Sequence, residues 1–596
     1  MCQPFQEYSR AAINEGVLVP AFGSGGSEAR AVTASQADSP ASGTAPDAWH
    51  ALDSLREAQL GRLTLGLSPE SLALAWADWA MHLAAAPGKR LGLLLHDWSR
   101  PGDIAADPRF RDPAWRQPPF RQLAEGFLRV EDWWRDATHD VPGMSPHDES
   151  VVAFAARQLL DVWSPTNLWW TNPRVLSRTF AQGGRNLAVG AAHWCEDVAR
   201  ILGGPHGDDS SPFVVGRDVA ATPGKVVMRN RLAELIQYGP TTQRVHAEPI
   251  LIVPAWIMKY YILDLSPGNS LVRWLVDQGH TVFCLSWRNI GPEDRDLGMD
   301  DYRELGVMAA LDAIARIVPG RRVHATGYCL GGTLLAIAAA AMARAGDGRL
   351  ASLTLLAAQT DFTEPGELGL FIDPAQVHML DAMMAQRGVL TAEQMAGAFQ
   401  MLRSNDLVWS RAVHDYLMGE RTAPSDLMAW NSDTTRMPAR MHSEYLHRLY
   451  LANDLASGRY LVDGHPVALQ NLRLPTFAVG TETDHVAPWR SVYKLHYLTE
   501  SELTFVLCNG GHNAGIVNEP GHPLRHYRVA TRSEGAPCVS ADEWQSAATV
   551  HDGSWWPAWH DWLARHGARR LVAPPSMGSR NAGPLEDAPG RYVLEH

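Results

Sequence analysis

The stretch Val323 to Leu335, VHATGYCLGGTLL, constrains this chain more than any other. Its centre, Gly327-Tyr328-Cys329-Leu330-Gly331, has the form of a nucleophile elbow, with sulfur where a serine hydroxyl usually stands. An elbow needs a strand before it and a helix after it, and both are legible. Arg322 to Thr326 is short and β-prone, and Gly331 to Arg344 is an Ala/Leu/Ile run of high helix propensity. The glycines permit a sharp turn and a close helix approach that a Cβ would block. Cys329 then lies at a helix N-terminus, where the macrodipole and free N–H groups favour a thiolate. The competing reading is a small buried cysteine in a Gly-rich turn, and residues elsewhere in the chain must decide between the two.

The text around the elbow alternates between short apolar runs and helical patterns. Ile250 to Val253 stops at Pro254 and reads as a buried strand. Asn269 to Gln278 is helix-like, His280 to Ser286 is β-prone, and Tyr302 to Ile317 leads into the elbow. Leu350 to Ala357 then reads as a further strand. Such alternation implies right-handed crossovers and a mostly parallel sheet covered on both faces. From 362 to 463 it gives way to Met/Leu-rich helical text, with Asp373 to Arg387 and Thr391 to Leu402 as candidate helices, placed to cover the elbow as a cap. Strand text resumes at Pro475 to Gly480 and Leu503 to Leu507.

Each of these last strands is followed by one candidate partner for the sulfur. Thr481-Glu482-Thr483-Asp484-His485 follows the first, and Cys508-Asn509-Gly510-Gly511-His512 the second. Open α/β sheets place their sites past the carboxyl ends of strands, and the order Cys329, Asp484, His512 is the chain order of α/β-hydrolases. His512 takes the thiol proton or holds it as an ion pair, while Asp484 fixes the imidazole tautomer. Glu482 and Asp361 remain alternatives for the acid, His485 is a possible accessory group, and His324 reads as a satisfied core histidine. The backbone N–H of Leu330 is the expected oxyanion donor, with Ala255 or Trp256, after the first core strand, as second donor.

The predicted fold is therefore an α/β-hydrolase fold with a mostly parallel sheet, a helical cap insertion at about 362–463 and a mainly helical N-terminal domain. Residues 1–47 are small and polar and read as a disordered leader. Residues 48–220 form the helical domain, with Ser68-Pro69 opening the helix to Ala86 and another running from Asp148 to Trp163. Residues 221–570 form the catalytic domain, and 571–596 a C-terminal tail. Trp555, Trp559 and Trp562 fall at helical spacing, which favours a packed helix over a binding surface. Trp133-Trp134 and Trp169-Trp170 fit core or exposed contact equally.

A net charge of -13 argues against a nucleic-acid partner. The longest apolar run, Leu334 to Ala343, is far below the roughly 20 residues of a membrane span. Six scattered cysteines and the lack of a basic and then apolar leader suggest reduced thiols and a cytoplasmic location. No P-loop, dinucleotide fingerprint or HExxH is present, and Cys508 with His512 is too sparse for zinc, so no metal and no redox cofactor is expected.

Beyond the elbow, Asp484 and His512, longer stretches carry a resemblance: Asp112-Pro113-Ala114-Trp115, Ser164-Pro165-Thr166-Asn167, Thr171-Asn172-Pro173, Ile257 to Leu265, Ser286-Trp287-Arg288-Asn289, Trp430-Asn431-Ser432-Asp433, Asp484 to Trp489 and Gly510-Gly511-His512. From about Pro108 to Trp562 the chain resembles the polyhydroxyalkanoate synthases, in its length those of the single-subunit type. The resemblance implies polymerisation of (R)-3-hydroxyacyl groups from coenzyme A thioesters, with Cys329 as acylated nucleophile and Asp484 and His512 as its partners. It also implies association with polyester granules, a homodimer, and no cofactor beyond the thioester substrate. The chain departs from the family pattern at Pro254-Ala255-Trp256-Ile257-Met258-Lys259, where many relatives carry a second proline and an Asn before the Lys. A cysteine-dependent thioesterase or esterase, or a non-catalytic granule protein, are the rival readings.

Overall fold

The computed structural model describes residues 48–595 apart from 65, 101, 203–211, 392–393, 395–407 and 422. The leader, and most of the helix expected at Thr391 to Leu402, lie outside these residues.

The N-terminal part is helical because Ser-Pro and Asn-Pro pairs repeatedly start helices. Ser68, Ser145 and Asn172 cap helices that open at Pro69, Pro146 and Pro173, each side-chain oxygen accepting a first-turn N–H. Proline at the first position loses no bond there, and its fixed φ suits the helix. Two of these helices, Pro69–Ala85 and Pro146–Val162, match the sequence reading to within two residues. Their surroundings include a half-buried charge cluster in which the Arg109 guanidinium binds Asp107, Glu131 and Asp161. The helices rest on the segment expected to form the cap. Gln376 receives the Ser68 N–H and returns its amide to Gly66 O, at 2.8 and 2.7 Å. Gly190 lies so close to Tyr416 O that a Cβ would come within 1.8 Å.

An eleven-stranded sheet follows among the described residues. Its strands are β1 (Gly224–Arg229), β2 (Ala233–Tyr238), β3 (Ile250–Val253), β4 (Val282–Trp287), β5 (Val323–Tyr328), β6 (Leu350–Leu356), β7 (Thr476–Thr481), β8 (Leu503–Cys508), β9 (His526–Arg532), β10 (Thr549–Asp552) and β11 (Glu586–Asp587). Their spatial order is β10-β9-β8-β7-β6-β5-β3-β4-β2-β1-β11. From β8 to β4 all neighbours are parallel, and the flanking strands are antiparallel. The parallel centre is the part that the apolar runs announced. The flanks escaped because the half-buried β9 and the exposed β10 carry mixed, charged text.

Two apolar layers cover the sheet. On one face lies the elbow helix, Leu330–Ala345, buried along nearly its whole length from Leu330 to Met342. Its Ala-rich composition follows from that position, since small residues let a fully enclosed helix approach the sheet. On the other face the helix Trp556–His566 buries Trp556, Trp559 and Trp562, with Trp555 just before it. Their indoles are also anchored: Trp559 Nε1 donates to Thr354 Oγ1, and Trp555 and Trp556 donate to the carbonyls of Gly515 and Ile516. Trp169 and Trp170, by contrast, are largely exposed.

Residues past 570 are packed against the sheet. Strand β11 adds to the edge of β1, with Lys225 opposite Asp587. Val593 is buried, and the carbonyls of Tyr592 and Glu595 receive the ammonium of Lys259. Among the described residues no helix is long and apolar enough to cross a membrane.

Candidate active site

Register in the parallel centre brings the site together. Tyr328, Leu356, Val479 and Val506 stand in one row across β5, β6, β7 and β8. The chain therefore leaves β5, β7 and β8 at the same edge, and strands spaced about 4.8 Å apart put these exits within roughly 15 Å. Short loops reaching back across that distance suffice to assemble a cluster.

Cys329 occupies the tip of the turn after β5, at φ 52° and ψ −125°, a conformation that a non-glycine residue adopts only where its surroundings enforce it. The enforcement is steric and hydrogen-bonded. The Cys329 N–H donates to Leu356 O at 2.9 Å, and its carbonyl receives the Gly332 N–H at 2.9 Å. A Cβ on Gly327 would come 2.4 Å from Gly332 Cα, one on Gly331 would come 2.3 Å from Val253 O, and one on Gly332 2.5 Å from Ala358 Cβ. The elbow glycines thus mark three close approaches.

Asp484 is buried in the turn after β7. Its Oδ1 accepts the N–H groups of Val486 and Ala487 at 2.8 Å each, and its Oδ2 accepts from Thr481 Oγ1 at 3.1 Å and from His512 Nδ1 at 2.8 Å. Burial pushes the carboxyl pKa up, but the facing His512 and the backbone donors overcome this and hold it below its ordinary value. His512 follows β8, after a turn that Gly510 makes at φ 108°. With Nδ1 committed to Asp484, Nε2 is the ring nitrogen left to serve Cys329. Burial opposes a proton on His512, yet Asp484 and Cys329 outweigh it and raise the imidazole well above its usual value. Tyr328 braces the ring from the elbow side, its hydroxyl donating to Asn513 Oδ1 at 2.6 Å.

The structure thus brings Cys329, Asp484 and His512 together, with Asp484 hydrogen-bonded to His512 and the imidazole beside Cys329. The alternative acids are engaged elsewhere: Glu482 lies 3.6 Å from His526, and Asp361 accepts from Thr363 and Asn453. His485 accepts the Glu367 N–H at its carbonyl. His324 is buried against Ser352 Oγ at 2.7 Å, and burial drives its pKa down to about 4. Buried Cys508 donates to Gly515 O rather than joining His512.

Leu330 is the first residue of the elbow helix, so its N–H has no intrahelical acceptor. The loop carrying Ala255 and Trp256 lies against the same helix end, since a Cβ on Gly331 would also come 2.5 Å from Pro254 O. Trp287 Nε1, Thr435 Oγ1 and Trp430 Nε1 hold this loop through the carbonyls of Pro254, Trp256 and Lys259. The Trp256 ring packs away in the core against Tyr302 and Trp287.

Above Cys329 lies an apolar cavity of about 130 Å³. Ile257, Leu330, Phe371, Leu380, Tyr445 and Tyr450 contribute to its wall. A cavity of about 150 Å³ admits a benzene-sized guest, so this space suits a small acyl group. The two tyrosines escaped the sequence reading for a geometric reason. Residues five apart on an α-helix point about 140° away from each other. Here Tyr445–Leu451 is a π-helical turn, which brings the Tyr445 and Tyr450 hydroxyls to 3.3 Å. Burial, then Cys329, keeps both phenols neutral; Tyr450 adds to this for Tyr445, while the bond to Tyr445 works against it for Tyr450.

Comparison with known proteins identifies the assembly. Residues 106–275 match the family model for the poly-beta-hydroxybutyrate polymerase N-terminus, 47–89 a second N-terminal model of that polymerase, and 248–519 the alpha/beta hydrolase fold. The chain is 39% identical over 521 residues to the poly(3-hydroxyalkanoate) polymerase subunit PhaC of Rhizobium meliloti, covering 84% of each chain. It belongs to the polyhydroxyalkanoate synthases. The poly(3-hydroxyalkanoate) polymerase of Methylorubrum extorquens is 41% identical over 82% of this chain and 80% of its own. The corresponding subunit of Cupriavidus necator is 37% identical over 82% and 83%. This synthase is accordingly an acyltransferase on an α/β-hydrolase fold.

Proposed function

We propose that this synthase polymerises (R)-3-hydroxyacyl groups from their coenzyme A thioesters through an acyl-Cys329 intermediate, releasing coenzyme A. The single observation that supports this most is the Asp484–His512 hydrogen bond beside Cys329, beneath a small apolar cavity.

In the loading step the Cys329 proton passes to His512 and the sulfur attacks the thioester carbonyl. The developing oxyanion faces the Leu330 N–H, with the Ala255-Trp256 loop as the source of a second donor. The carbon–sulfur bond to coenzyme A breaks, and its thiolate takes the proton from His512. One thioester replaces another, so the acyl group stays activated. In the elongation step His512, oriented by Asp484, removes the proton of a 3-hydroxyl group, whose oxygen attacks the acyl-Cys329 carbonyl and expels the sulfur. An ordinary ester forms in place of a thioester, which drives the step. The apolar wall of Ile257, Phe371 and Leu380 limits water near the intermediate.

The enzyme takes no cofactor besides its substrate, and it works as a cytoplasmic homodimer on the surface of the polyester granule. The names of its relatives support the polymer product. The test combines coenzyme A release, polymer mass and mass spectrometry of the Cys329 peptide after brief exposure to a 3-hydroxyacyl-CoA. Acyl-Cys329 with polymer is the expected result. Coenzyme A release without polymer indicates a thioesterase, and polymer synthesis by Cys329→Ala overturns the mechanism.

A further inference from the structure

At the amino ends of the parallel strands, opposite the catalytic edge, three histidines from distant parts of the chain converge. His246 precedes β3, His280 precedes β4, and His560 lies on the helix Trp556–His566. The first two segments are tied together by the His246 N–H, which donates to Gly279 O at 2.8 Å. His280 Nε2 and His560 Nδ1 are 3.0 Å apart. One nitrogen from each of the three rings lies within 4.8 Å of the other two. His280 is 2% exposed and its Nδ1 has no hydrogen-bond partner, an unusual state for a buried polar atom. His246 stacks on His280 at 4.3 Å, and His560 meets both rings edge-on.

This arrangement needs an explanation that the polymerase reaction does not supply. Hydrogen bonding accounts for one contact, between His280 and His560, and leaves the convergence of the third ring unexplained. A cation does better. Zinc–nitrogen bonds of 2.0–2.1 Å place the ligand atoms of a tetrahedral site about 3.3 Å apart, close to the observed His280–His560 separation. The remaining approach falls to His246, which is half-buried, by rotation of its ring. Burial, reinforced by the neighbouring imidazoles, lowers the pKa of His246 and His280, and burial lowers that of His560, so the ligand atoms are neutral. Glu248 and Asp561 act on His246 and His560 and supply compensating negative charge.

We propose that His246, His280 and His560 form a binding site for one zinc-class divalent cation, clamping the C-terminal helix to the amino edge of the sheet. The imidazole that donates between His280 and His560 moves its proton to its other ring nitrogen, and water fills the fourth position. The clamped helix is the one preceded by Trp555, whose indole holds the His512 loop at Gly515 O. The expectation of no metal rested on ligand spacing along the chain, which cannot reveal residues brought together from two separate loops and a helix.

The experiment uses full-length enzyme freed of metal by chelator and desalting, beside the variant His246→Ala/His560→Ala, which leaves the buried His280 in place. Calorimetric titration with Zn²⁺ is expected to show one site per chain in the wild type that the variant lacks. Co²⁺ is expected to give the visible spectrum of a tetrahedral nitrogen site only in the wild type, and Zn²⁺ to raise the melting temperature of the wild type alone. Equal stoichiometry in both proteins, or no binding by the wild type, overturns the proposal. Should the double variant misfold, His560→Ala, on the half-exposed side of the helix, gives the same reading.

Discussion

Gly331→Ala tests the central structural claim, because local and tertiary reasoning predict opposite signs. Position 331 lies in the first turn of the elbow helix, and alanine in place of helical glycine is normally worth up to about 1 kcal/mol of added stability. In the folded enzyme the new Cβ would fall 2.3 Å from Val253 O and 2.5 Å from Pro254 O. Both are backbone atoms between the sheet and a buried helix. Reaching ordinary contact near 3.4 Å requires the helix end and the loop to part by about 1 Å. Overpacking of this kind costs about 1–3 kcal/mol, which outweighs the propensity gain. The parting also moves the Leu330 N–H relative to the Ala255-Trp256 loop, and a misplacement of about 1 Å at a reacting centre costs on the order of 100-fold in rate. The assay is urea denaturation followed by tryptophan fluorescence, with coenzyme A release measured on the same preparations. Gly92→Ala serves as control, since that glycine lies in the exposed helix Pro87–Leu94 with nothing within 4 Å of its would-be Cβ. The control is expected to gain stability and keep its activity. If Gly331→Ala gains stability as the control does and turns over normally, the close approach at the elbow is wrong.

Other outcomes follow from the site and core. Asp484→Asn keeps the shape but removes the charge that orients His512, and turnover is expected to fall by about 10²–10⁴-fold, read from initial rates of coenzyme A release. Cys329→Ser is expected to take up an acyl group at most once without elongating it, because its ester lacks the thioester's activation; sustained polymer formation by this variant contradicts the proposed role of sulfur. Phe371→Ala enlarges the cavity beside Cys329, and relative rates over a graded series of 3-hydroxyacyl-CoA lengths should shift toward longer chains. Burial holds His324 and His442 at pKa about 4, and burial with Arg532 holds His496 at about 3. Each takes up a proton on unfolding, so stability is expected to fall as pH drops from about 6.5 toward 4, by up to about 1.4 kcal/mol per pH unit for each histidine. Denaturation midpoints that stay flat across that window refute this account.

The parallel centre of the sheet, the elbow and the two partner loops were legible in the sequence because each has a local cause. Apolar runs of four to seven residues made buried strands. Ser68-Pro69 started a helix, and glycines stood where backbones touch. The order of Cys329, Asp484 and His512 along the chain then implied their meeting, because parallel strands deliver their ends to one edge. What remained hidden depends on distances that no linear pattern contains. The antiparallel flanks β1, β2, β9 and β10 carry polar text because they are partly enclosed, exposed as β10 is, or bury polar residues such as Glu234. Tyr445 and Tyr450 share a face only because their helix is wound as a π-turn. The choice of Asp484 over Glu482 and Asp361 rests on the 2.8 Å bond to His512. Local chemistry thus determined which residues are able to react and which segments form strands and helices. Tertiary packing alone decided what faces Cys329, what lies above it, and which histidines meet at the opposite end of the sheet, since those contacts join residues whose separation along the chain carries no information about their separation in space.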